Sequence, residues 1–171
     1  MKIIFLDVDG VLNSELTEDH FGMYVGIEDK KVELLKQIID ATGAKIVLSS
    51  TWRLGYSRFG TLLEGNRDYL NEKLAKYGLQ TFSQTEDLSR HGEQRGKEIN
   101  DWLEKHDDVD GWVVLDDEYF WDFGVYNIIP HWVKTYFYGN NGGLTPEDVN
   151  EAIAILNGDF NYDTTTDSRT D

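Results

Sequence analysis

Two carboxylates stand two residues apart near the start of the chain, and they are the first groups that could do chemistry. Asp7 and Asp9 close a four-residue apolar run, Ile3-Ile4-Phe5-Leu6, and Gly10 follows them. On an extended chain, residues two apart point to the same side. Two like charges held that close repel, so the pair calls for a cation nearby or a shared proton. Gly10 frees the backbone to turn just past the run. Two later stretches repeat the pattern of an apolar run ending in polar groups. Ile46-Val47-Leu48 ends in Ser49, Ser50, Thr51, Trp52 and Arg53, and Trp112-Val113-Val114-Leu115 ends in Asp116, Asp117 and Glu118. Ser49 and Ser50 offer hydroxyl and N–H groups to an anion, and Arg53 is a candidate anion clamp, with a surface ion pair as its structural alternative. Arg95 and Lys97 supply positive charge just before the last of these runs.

Together these groups can handle a phosphoryl group. Carboxylates from two strand tips can hold a hard, oxygen-loving ion such as Mg²⁺, which keeps several waters and favours phosphate as a further ligand. A hydroxyl and a cationic side chain can bind other phosphate oxygens. One carboxylate is then free to attack phosphorus and another to act as acid and base, splitting a hard hydrolysis into two easier steps.

The elements that must position these residues follow from hydrophobic spacing. Each apolar run reads as a short strand buried on both faces. Between the first two, Val32, Leu35, Ile38 and Ile39 fall at helical spacing in a segment from Glu28 to Thr42, and Gly43 stops it. Strand, helix, strand at this length is a βαβ unit with parallel strands, so the polar tips share one sheet edge. Ligands bind at that edge in open α/β sheets. Further helices are expected over Asn66–Tyr77 and from Arg95 to Leu103. Another runs from a Thr145-Pro146 start to about Leu156. Short strands are expected over Leu79–Phe82 and Tyr126–Ile129, with strand-like alternation over Trp132–Tyr138. Ser14–Gly26 reads as a loop or small hairpin over the first strand tip, and the aromatic residues among the acids at Tyr119–Phe123 read as packing. Residues 1–158 are expected to form a single domain, with 159–171 a mobile acidic tail.

Composition bounds the function. The chain has 171 residues, 40% hydrophobic and 13% aromatic, enough for one packed domain. No apolar run approaches the ~20 residues of a membrane span, and the N-terminus lacks signal-peptide features. Cysteine is absent, which excludes disulfides and cysteine-held zinc. These features lead to the expectation of a cytoplasmic protein with no membrane partner. The net charge of −16 repels a nucleic-acid backbone unless local cations offset it.

Asp7-Val8-Asp9-Gly10-Val11-Leu12-Asn13, Leu48-Ser49, Arg95 or Lys97, and Leu115-Asp116-Asp117 resemble the four ordered motifs of the haloacid dehalogenase superfamily. The resemblance implies a Rossmann-like three-layer α/β sandwich around a parallel sheet. It implies Asp7 as nucleophile and Asp9 as the acid that protonates the leaving oxygen and then activates water. Ser49 would bind the phosphoryl group, aided by Gly10, Ser50 and Arg53 around it, and Arg95 or Lys97 would stabilise the intermediate. Asp7, the Asp9 carbonyl, Asp116 and Asp117 would hold Mg²⁺. Asp122 suits the later aspartate of the superfamily's longer fourth motif. The segments between motifs leave no room for a full lid, which favours large substrates or a partner acting as lid. Ser-Ser-Thr-Trp-Arg, the stretch from Arg95 to Leu103, and Gly143-Leu144-Thr145 resemble a subgroup associated with RNA-repair proteins. The expected activity is therefore phosphomonoester hydrolysis, with a phosphorylated nucleic-acid end as substrate. The alternatives are a nucleotidase or other small-molecule phosphatase, and a catalytically inactive binding module. A receiver-type signalling domain also places acids, a hydroxyl and a lysine at strand tips. Its acidic pair and phosphorylated aspartate both precede the hydroxyl, whereas here Ser49 lies between the two acidic tips.

Overall fold

A computed structural model describes residues 1–54, 65–88 and 94–159. Five strands form a parallel sheet: β1 (Lys2–Leu6), β4 (Lys45–Leu48), β5 (Thr81–Gln84), β6 (Gly111–Asp116) and β7 (Trp132–Lys134). The first acidic motif sits at the sheet centre, in the order β5-β4-β1-β6-β7. A separate two-stranded hairpin, β2 (His20–Phe21) with β3 (Tyr24–Val25), forms the flap over the β1 tip. The helices are α1 (Asp29–Thr42), α2 (Asn66–Ala75), α3 (Arg95–Leu103) and α4 (Pro146–Asn157).

Side-chain alternation divides the core into two layers. Ile4, Leu6, Ile46, Leu48, Val113 and Leu115 face one side, where Leu35 and Ile38 of α1, Leu70 of α2 and Ala152 of α4 cover them. Ile3, Phe5, Val47 and Val114 face the other side, against Ile99 and Trp102 of α3 and the aromatic segment at Phe120 and Phe123. The result is a Rossmann-like α/β sandwich, and no cap domain is present among the described residues.

Helix ends follow their sequence signals. Gly43 and Gly158 stop α1 and α4 in the left-handed conformation, at φ 70° and 73°. Thr145 and Asp148 form a reciprocal capping box on α4. The expected strand at Tyr126–Ile129 does not form. Its tetrapeptide is a turn leading into a short 3₁₀ segment, Ile129–His131, whose apolar Ile128 packs under the α3 layer. Pro130 fits that 3₁₀ turn and could not donate to a ladder. The strand-like alternation of Trp132–Tyr138 shortens to three residues in β7. The strand expected over Leu79–Phe82 forms two residues further on, as β5. Much of the Leu54–Gly65 loop and the 159–171 tail lies outside the described residues.

Candidate active site

Register brings the acidic motif, the serine motif and the acidic doublet level with one another. Leu6 pairs with Leu48 on one side and Leu115 on the other. The next residues, Asp7, Ser49 and Asp116, therefore stand side by side at the carboxyl edge of three neighbouring strands. Backbone bonds fix the level: Asp7 N–H donates to Leu115 O at 2.9 Å and Ser49 N–H to Leu6 O at 2.8 Å. All three continue the alternation of Phe5, Val47 and Val114, whose layer is covered by α3. That is why the first residue of α3 reaches them.

Arg95 is that residue. Its Nη1 lies 3.2 Å from Ser49 Oγ, 3.6 Å from Asp116 Oδ2 and 3.9 Å from Asp7 Oδ1. The guanidinium is buried and lies 5.1 Å over the Phe120 ring. Lys97 turns the other way. Its ammonium pairs with Asp101 one turn on, at 2.6 Å, with two-fifths of the side chain exposed. Of the two basic candidates, the structure brings only Arg95 to the carboxylates.

Asp7, Asp116 and Asp117 each offer an oxygen within 4.8 Å of the others. Burial pushes the Asp7 carboxyl up to about 6, against the pull of Arg95. Burial and the Asp7 charge push Asp117 up to about 7 and Asp116 well above its usual range. Asp116 Oδ1 accepts from the Glu118 N–H, while its buried Oδ2 has no hydrogen-bond donor within range. Three crowded carboxylates, one with an oxygen that Arg95 approaches only as an ion pair at 3.6 Å, form an all-oxygen set of the kind a hard divalent cation fits.

Asp9 is held differently. Asn13 donates to Asp9 Oδ1 and the Trp52 indole N–H to Oδ2, each at 2.9 Å. Asn13 Oδ1 also accepts from the Gly10 N–H, which locks the turn. Gly10 has φ +72°, and a Cβ there would overlap the Asp117 carboxyl. The glycine lets the first motif approach the acidic doublet. Both serines are buried behind the cavity wall. Ser50 hydrogen-bonds Asp7 through its side chain, and Ser49 meets Arg95.

Arg53 does not line the cavity. It is buried and donates to Ser50 O at 2.6 Å, Glu86 O at 3.2 Å and Glu98 Oε2 at 2.8 Å. The expected anion clamp is a buried ion pair, because the 3₁₀ turn over Thr51–Leu54 swings its side chain inward. Glu98 Oε2 also lies 3.7 Å from Arg95 Nε, so one buried glutamate links both arginines.

Three groups that sequence reasoning did not place, Glu98, Trp52 and Asn13, complete the site together with Asp122, the aspartate expected from the fourth motif. Glu98 lies one turn after Arg95, a spacing that puts both on one helix face. Trp52 sits in the serine motif, but nothing in that motif marks its indole as a partner of Asp9. Asn13 closes the first motif. Asp122 is fully buried and accepts from the Gly96 and Lys97 N–H groups at 3.0 and 2.9 Å. It therefore anchors the α3 start that carries Arg95, and it is not among the clustered metal-type ligands. Gly96 permits this close approach, since a Cβ would meet Asp122 O at 2.9 Å.

The carboxylates open into a cavity of about 420 Å³ lined also by Tyr24, Trp52, Asn66, Phe120 and Phe137. The profile of the HAD domain in Swiss Army Knife RNA repair proteins matches residues 3–149. The chain belongs to this family. No curated protein and no solved structure matches it. The match spans all the motifs that form this HAD site, from β1 to the start of α4. Family membership supports a phosphatase in general, and no helix among the described residues is long and apolar enough to cross a membrane.

Proposed function

We propose that the chain is a Mg²⁺-dependent phosphomonoester hydrolase that works through an aspartyl-phosphate, on phosphorylated nucleic-acid ends. The observation that carries the chemistry is the meeting of Asp7, Asp116, Asp117 and Arg95 at one sheet edge. Asp7, Asp116, Asp117 and the Asp9 backbone carbonyl are the groups that would hold Mg²⁺. The bound ion supplies charge neutralisation, so that a phosphate dianion can approach an anionic nucleophile.

Asp7 attacks phosphorus with a carboxylate oxygen, and the bond to the leaving oxygen breaks. Asp9 gives its proton to that oxygen. Trp52 and Asn13 hold the Asp9 carboxyl in place for the transfer. In the second step Asp9 takes a proton from water, the hydroxide attacks phosphorus, and the Asp7–phosphorus bond breaks to release phosphate. Arg95 offsets charge on Asp7 and the phosphoryl oxygens, and Ser49 orients Arg95. Lys97 stays outside this scheme, paired with Asp101, and Ser50 acts through its bond to Asp7.

The nucleic-acid reading rests on the RNA-repair proteins named in the family description and on the absence of a cap domain among the described residues. With no closing lid among the described residues, such a site suits a substrate with one end inside and the rest outside. The cytoplasm is the proposed location. Hydrolysis of an aryl phosphate tests the chemistry: it is expected to need Mg²⁺ and to vanish in Asp7→Asn. Full activity in excess chelator or in that variant would refute it. A panel of 3′- and 5′-phosphorylated oligonucleotides against free nucleotides and sugar phosphates tests the substrate, and preference for free nucleotides would sink the nucleic-acid-end part.

A further inference from the structure

The phosphate-handling groups occupy the floor of the cavity, and the walls above them have a different character. Tyr24 comes from the flap, Trp52 from the turn after β4, and Phe137 from the segment after β7. Three separate elements thus bring flat rings to one space. Asn66, the first residue of α2, lines the same space and is 2% exposed. Its buried side-chain oxygen has no hydrogen-bond partner. A buried acceptor without a donor is unfavourable, and a ligand donor would relieve it.

We propose that this wall is a leaving-group subsite for one nucleoside, whose base packs against Tyr24 and Phe137 and whose N–H or O–H donates to Asn66. The inference rests on the phosphatase reading and adds what carries the phosphate. A glycerol or serine leaving group would leave the rings wet. A sugar would need several polar partners, whereas above the carboxylate floor Asn66 is the buried polar group left without one among the described residues. A nucleoside combines a flat body, which stacks on aromatic rings whatever the base, with a few donors. The cavity of about 420 Å³ lies in the range of single small-molecule sites, so one nucleoside enters and any further chain stays outside. A tyrosyl leaving group is also flat, but its ring carries no donor for Asn66 once the phosphate is attached.

The test compares kcat/KM for adenosine 3′- and 5′-monophosphate, O-phosphotyrosine and glycerol phosphate. The better of the two nucleotides is expected to exceed glycerol phosphate by about tenfold or more, the scale of one stacked base. Tyr24→Ala is expected to lower that ratio about tenfold, and Asn66→Ala about threefold or more. Unphosphorylated adenosine is expected to bind the metal-free wild-type protein, read by saturation-transfer NMR, which needs neither turnover nor a folded variant. A preference for O-phosphotyrosine, a ratio near one, or no adenosine binding would overturn the subsite. Hydrolysis of all substrates without preference removes the subsite and leaves the phosphatase reading. Hydrolysis of none, the aryl phosphate and phosphorylated oligonucleotides included, with adenosine still bound, removes the phosphatase reading and leaves a nucleoside-binding site.

Discussion

Replacing the proposed nucleophile should make the metal-free protein more stable. Asp7 is crowded by burial and by Asp9, and its carboxyl is pushed from the usual 3.8 up to about 6. A carboxyl raised in the folded state favours folding only while it is protonated. Its contribution is complete below the unfolded value and is lost as pH climbs through the folded one. At about 1.4 kcal/mol per pH unit, the loss between pH 4 and pH 7 is roughly 3 kcal/mol. An asparagine keeps the shape and cannot ionise. In chelator, the stability gap between Asp7→Asn and wild type should therefore open from near zero at pH 4 to roughly 3 kcal/mol at pH 7. For a chain of this size that is about 6–12 °C in Tm. Urea or thermal melts across pH, in chelator, measure it. Added Mg²⁺ should narrow the gap, because the ion stabilises the ionised wild-type cluster. A gap that does not change with pH, or one that favours wild type at pH 7, would refute the account of a crowded, cation-seeking carboxylate.

Other perturbations probe the supporting residues. Trp52→Phe removes the indole bond to Asp9 and should lower kcat about tenfold with KM little changed, read by steady-state kinetics on an aryl phosphate. Glu98→Gln leaves two buried arginines sharing no anion between them. It should cost about 3–5 kcal/mol in urea melts. Gly10→Ala forces a Cβ into the Asp117 carboxyl at a left-handed backbone, so Mg²⁺ affinity measured by calorimetry should fall by tenfold or more. Asp122→Ala removes both side-chain bonds at the α3 start and should cost about 1–2 kcal/mol, while Asp122→Asn, still a good cap, should cost less.

The parts of the fold that were legible in the sequence are those where local pattern and long-range packing agree. The apolar runs at Ile3–Leu6 and Trp112–Leu115 could only be buried strands, and both lie in the sheet centre. The helix from Asp29 to Thr42 carries its own spacing and its own glycine stop. Tyr126–Ile129 misled because its apolar residues fill the space under α3 without extending, which composition alone does not distinguish from a strand. At the site, residue types at strand tips were legible because register follows from the βαβ connection. The choice between Arg95 and Lys97 depends on two residues of helix phase, about half a turn, which separates a buried guanidinium from a half-exposed ammonium. Of the two readings of Arg53, anion clamp or ion pair, the ion pair forms, and it is buried because a 3₁₀ turn reverses the side chain's direction, which no spacing rule announces. Trp52 and Asp9 lie 43 positions apart, so their bond was not visible from either motif.

The glutamate shared by Arg53 and Arg95 also limits how this sequence can drift. Neutralising Glu98 strands one cation behind the β4 tip and loosens another beside the carboxylates. Neutralising Arg53 alone leaves Glu98 to compete with Asp7 and Asp116 for Arg95. Neither change is neutral by itself, although both made together restore the charge count. The three positions therefore behave as one heritable unit, and relatives that have lost Arg53 should have lost the acid at Glu98 as well.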